Sequence, residues 1–98
     1  MTDEFVPEVL NRADFYFDGR YRLPPRAAYC GRGTPFGNPY HIGADGTRDE
    51  VIDRYIRERE GDESFIALVR EKLKGRHLVC HCRPLRCHCD WLLCVANG

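Results

Sequence analysis

The chain has 98 residues, a size at which one domain built round a single core is expected. Lys plus Arg and Asp plus Glu balance at 15 each, so no global field draws the protein to nucleic acid or membrane, and any basic surface must be local. No apolar run approaches the roughly 18 residues of a spanning helix, and the acidic start Met1-Thr2-Asp3-Glu4 does not resemble a secretory signal; a cytoplasmic protein with no membrane partner is expected.

Residues Pro7 to Arg12, with Val9 and Leu10, read as a short strand. The aromatic run Phe15-Tyr16-Phe17 and the turn at Asp18-Gly19 then suggest a hairpin. Leu23-Pro24-Pro25 interrupts regular structure before a second strand at Ala27-Ala28-Tyr29-Cys30. The segment from Arg32 to Tyr40 holds two glycines and two prolines and reads as a shaped loop. Arg20, Arg22, Arg26 and Arg32 are interleaved with Phe15, Tyr16, Phe17, Tyr21 and Tyr29, a mixture suited to stacking bases and touching phosphates. With a neutral chain, the simpler expectation is aromatics inside and arginines outside.

Thr47 followed by Glu50 is a capping box that opens a first helix, with Val51, Ile52, Tyr55 and Ile56 on its buried face. Arg54, Arg57, Glu58 and Glu60 read as a solvated face with i,i+3 and i,i+4 pairing. Gly61 ends this helix, and Phe65, Leu68, Val69 and Leu73 form the stripe of a second, which stops at Lys74-Gly75. His77 to Cys82 reads as a strand buried on both faces at Leu78 and Val79, followed by a last helix with Asp90 in its first turn. The expected class is α/β (or α+β): about three strands in a small mixed sheet with about three helices, ordered β-β-α-α-β-α. The second and third strands are expected to be parallel, and the first two antiparallel.

Chemistry concentrates at Cys80-His81-Cys82-Arg83-Pro84-Leu85-Arg86-Cys87-His88-Cys89, and five of the six cysteines lie between Cys80 and Cys94. Without an export signal, reduced thiols or a metal site fit better than a disulfide scaffold. If the strand reaches residue 82, Cys80 and Cys82 share one face, their α carbons roughly 6.6 Å apart. Cys87 and His88 at the mouth of the last helix can then complete a tetrahedral zinc set. The spacing is not the paired C-x2-C of zinc fingers, so other readings stand beside it. In one, Arg83, Arg86 and the helix N-terminus cradle an anion, and Cys82 or Cys87 acts as nucleophile with His88 as base. The phosphatase-like interval from Cys80 to Arg86 lacks the glycines of a phosphate loop. In the third reading, several cysteines are small buried hydrophobes, which is the expectation for Cys30 and Cys94. His41 and His77 read as surface or satisfied histidines.

Three stretches carry a family resemblance: Tyr29 to Tyr40 with its Gly-Asn-Pro element, Gly46 to Ile52, and Leu78 to Cys82 with Pro84, Cys87 and His88. Together they resemble domain of unknown function family 4326, common in bacteriophage and bacterial genomes. The resemblance implies roles for Arg32, Gly37, Asn38, Pro39, Arg48, Glu50, Cys80, Cys82, Pro84, Cys87 and His88. It gives none to Cys30, which replaces a usual aliphatic residue, or to Cys89, which replaces a small one. The expected function is a small module that binds zinc or a phosphate-bearing ligand, a nucleotide or nucleic acid. Cys80, Cys82, Cys87 and His88 hold the metal in that scheme, and Arg32, Gly37, Asn38 and Arg48 face the ligand. A thiol-dependent enzyme acting on a nucleotide-like metabolite, or a phage protein that binds a host protein without catalysis, are the alternatives.

Overall fold

A computed structural model describes residues 5–82 and 85–98, so Arg83 of the expected anion loop and Pro84 of the family pattern lie outside the described residues. The elements run β1 (Val9–Asn11), β2 (Tyr16–Phe17), β3 (Arg20–Tyr21), β4 (Ala27–Tyr29), α1 (Arg48–Arg59), α2 (Glu63–Leu73), β5 (His77–Cys80) and α3 (His88–Asn97). A single 3-10 turn follows β1 at Arg12–Phe15. The class is the expected one, a small α/β fold with three α-helices among the described residues.

The sheet is ordered β1-β5-β4, and both outer strands run parallel to β5. The antiparallel pairing expected of the first two long strands is therefore replaced. β1 and β4 flank β5, and the antiparallel pair is the separate β2-β3 hairpin. The physical reason is in β5, whose Leu78 and Val79 are both fully buried, so this strand takes the centre of the sheet. β5 ends at Cys80, short of the expected Cys82, because its neighbours run out there. Asn11 pairs with Cys80 and Tyr29 with Val79, leaving no strand to hold the chain extended beyond them.

Helix α1 forms where its cap predicted. Thr47 accepts from the Glu50 amide while Glu50 accepts from the Thr47 amide, closing the capping box of α1. Asp62 caps α2 by accepting from the Phe65 amide. Helix α3 packs against α2, β5 and α1. Tyr55 of α1 sits in the core with its ring edge-on to Phe65 and Trp91, and its hydroxyl donates to the Phe36 carbonyl at 2.8 Å. That bond ties the long loop to α1. The charged face of α1 carries an i,i+4 pair of the expected kind, Arg54 with Glu58.

Two burial expectations fail. Tyr16, Phe17 and Tyr21 are each about half exposed, at 52%, 53% and 50%, because strands of two residues project from the parallel sheet and cannot wrap their rings. The rings instead pack on each other, Tyr16 against Tyr21 at 4.8 Å, with the Arg12 guanidinium 4.3 Å from the Tyr21 ring centre. Cys94 is exposed as well. The buried stripe of α3 runs through His88, Cys89, Leu92 and Ala96, which places Cys94 on the opposite side.

Candidate metal centre and adjoining cleft

The parallel topology brings the end of β5 against the first turn of α3. Cys80 closes the strand, Cys87 is the residue that caps the helix, and Cys89 lies in the first turn, where its side chain points inward with Leu92 and Ala96. The helix start is held by Asp90, whose carboxylate accepts from the Cys87 amide at 3.2 Å. The thiols of Cys80, Cys87 and Cys89 all lie within 4.8 Å of one another, and none of the three residues is more than 2% exposed. The sulfurs of Cys80 and Cys87 are 3.2 Å apart. In a tetrahedral zinc site with bonds of about 2.3 Å, neighbouring sulfurs are ~3.8 Å apart. The cluster can therefore take an ion with sub-ångström to ångström adjustments.

Of the four expected ligands, two join this group and two do not. Cys80 and Cys87 are in it. Cys82 lies beyond the strand end, half-buried, with its carbonyl accepting from the Leu85 amide at 2.7 Å. His88 is buried beside the group, but its Nε2 lies 2.7 Å from the Cys30 carbonyl oxygen. A carbonyl only accepts, so Nε2 carries the proton and is committed to that bond. The residue that sequence reasoning set aside, Cys89, takes the third place. Its signal was present in the spacing of Cys89, Leu92 and Ala96, the buried stripe of the helix.

As metal-free thiols these groups resist ionisation. The Cys87 thiol is pushed up to about 12, first by its hydrogen bond with Cys80 and then by burial. Cys89 is also raised, through its contacts with Cys30, Cys80 and Cys87 and by burial. His88 is lowered, chiefly by burial, against an opposing contribution from the Cys30 carbonyl. A nucleophilic cysteine needs its proton lost near neutral pH, the reverse of what surrounds Cys87. A bound cation reverses that balance, because it deprotonates a coordinating thiol outright.

Beside the cluster opens a cleft of about 80 Å³. Its sulfur-bearing wall is formed by Cys80, Cys82, Cys87 and His88. Arg32, Asn38 and Arg48 line the other side. The glycine loop and the cysteine segment thus converge at the ends of β4 and β5, where parallel sheets bind ligands. Asn38 is already occupied in shaping the loop: its side chain donates to the Val51 carbonyl and accepts from the Tyr40 amide. Arg48 donates to the Arg86 carbonyl at 3.2 Å, and Arg32 to His41 at 2.7 Å, which leaves each guanidinium further donors. Arg86 itself is bound to Asp49 and Asp53. Gly37 does not line the cleft. A Cβ there would fall 2.6 Å from the Gly31 carbonyl oxygen, so glycine permits two loop segments to touch. His77 is satisfied, its Nδ1 accepting from the Glu8 amide.

Fold and site define a small α/β protein with a buried thiol cluster at its strand ends, able to hold a metal ion, and among the described residues no helix is long and apolar enough to cross a membrane. Residues 17–98 match the family model described as Domain of unknown function (DUF4326), and the chain belongs to that family. No curated protein and no solved structure matches it.

Proposed function

We propose that Cys80, Cys87 and Cys89 bind a zinc ion, and that the cleft alongside receives the phosphate group of a nucleotide or nucleic-acid ligand. The observation that carries the first half is the packing of three buried thiols into one site formed by a strand end and a helix start. An all-sulfur donor set selects soft or borderline metals, with zinc the common choice where no redox step is needed. The N-terminus of α3 favours the negative charge that thiolates bring. The second half rests on Arg32 and Arg48 at the cleft wall. A cleft of about 80 Å³ is below the roughly 300 Å³ of small-molecule pockets, so a phosphate enters and the rest of the ligand lies outside.

Elemental analysis of protein purified without added metal tests the first half. Near-stoichiometric zinc is the expected result, and protein that folds with no metal removes it. Binding of inorganic phosphate, followed by calorimetry in wild type and Arg48→Ala, tests the second; equal affinity in the two removes Arg48 from the site.

A further inference from the structure

Resting on the zinc reading above, we infer that Cys30 is the fourth ligand, so that Cys30, Cys80, Cys87 and Cys89 form a closed all-sulfur site. Cys30 follows the last residue of β4 and is fully buried. Its backbone is pinned from both sides of the cluster. The Cys30 amide donates to the carbonyl of Val79, the residue before Cys80, at 3.0 Å. The Cys30 carbonyl accepts from His88, the residue between Cys87 and Cys89, at 2.7 Å. Cys30 is therefore hydrogen-bonded to both elements that supply the other three sulfurs, and it is buried in the same core cluster as Cys80, Cys87 and Cys89, its thiol just outside the group of three that lies within 4.8 Å.

The competing donors are less well placed. His88 Nε2 lies 3.9 Å from the Cys89 sulfur, but its proton is spent on the Cys30 carbonyl at 2.7 Å. Cys82 is half-buried on the cleft wall. The Cys30 thiol reaches the Ala28 carbonyl at 3.6 Å, a weak bond that is given up when the thiol loses its proton to solvent and turns to the ion. Four thiolates round a divalent ion make a net negative centre, offset by the α3 N-terminus and by Arg32 and Arg48 in the adjoining cleft. A site closed by four sulfurs has no open position for water, which makes the ion structural, a clamp joining β4, β5 and α3. Any chemistry in the cleft then falls to its own side chains.

Zinc-edge X-ray absorption on the zinc-loaded full chain counts the sulfurs directly, in wild type, Cys30→Ser and Cys82→Ser. The expected result is four sulfurs in wild type and in Cys82→Ser. Cys30→Ser is expected to show three sulfurs with one lighter atom and at least tenfold weaker zinc binding. Zinc held by three sulfurs in wild type, or four retained in Cys30→Ser, overturns the assignment while leaving the metal site standing. A wild-type chain that takes up no zinc overturns the metal reading and this assignment with it. Should Cys30→Ser not fold, the wild-type and Cys82→Ser counts decide.

Discussion

Replacing Cys89 by alanine separates a metal ligand from a small buried hydrophobe, because the two roles differ in how the cost depends on metal. As a buried hydrophobe, fully enclosed in the first turn of α3, Cys89 contributes packing alone. Removing one sulfur atom then costs about 1–2 kcal/mol, transfer and cavity together. As a ligand it also carries binding energy. With free zinc a thousandfold above the dissociation constant, the ion stabilises the fold by ~4 kcal/mol, most of which a variant lacking one of the clustered thiols gives up. For a chain of 98 residues, 1 kcal/mol moves Tm by about 5 °C. Cys89→Ala is thus expected to lower Tm by roughly 25 °C in zinc and by only about 5–10 °C in excess chelator, read by circular dichroism. Chelator alone should lower wild-type Tm by ~20 °C. An equal drop for Cys89→Ala with and without chelator would refute the metal argument and leave Cys89 as packing.

Three further predictions concern the groups that hold the site. In chelated protein His88, lowered by burial, is expected to make stability fall with acid. The unfolded chain takes up the proton first, near pH 6.5, so stability is lost from there downward through the lower folded value. His88→Gln keeps a donor for the Cys30 carbonyl and should flatten this slope in urea melts between pH 5 and 7; an unchanged slope would show that another group is responsible. Gly37→Ala, with its Cβ forced to within 2.6 Å of the Gly31 carbonyl oxygen, should cost about 1–3 kcal/mol, and an unaltered Tm would mean the loop yields freely. Tyr55→Phe leaves the Phe36 carbonyl without its 2.8 Å partner and should cost about 1–3 kcal/mol in chemical unfolding; a neutral result would place another donor there.

The local features of this chain were legible in the sequence by itself. The Thr47 to Glu50 capping box, the apolar stripes of α1 and α2, the two-faced burial of Leu78 and Val79, and the hairpin turn at Asp18-Gly19 all depend on residues near one another in the chain. Such patterns are written in short-range periodicity and capping chemistry. The convergence of the Arg32 to Asn38 loop with the cysteine segment also followed, because both fall at the ends of parallel strands.

Tertiary structure decided which sulfurs meet. Alternation paired Cys80 with Cys82 only if β5 continued, and how far a strand continues depends on neighbours distant in sequence, here Asn11 and Tyr29. Cys89 joins because the α3 stripe turns it toward β5, and the pairing of β4 with β5 brings Cys30, 50 residues before Cys80 in the sequence, into the same buried core. Exposure of Tyr16, Phe17 and Tyr21 likewise reflects where the hairpin projects, not what its residues prefer. Short-range patterns choose elements. The register of a sheet, set by burial of its central strand, chooses which side chains become neighbours, and so decides the thiol set.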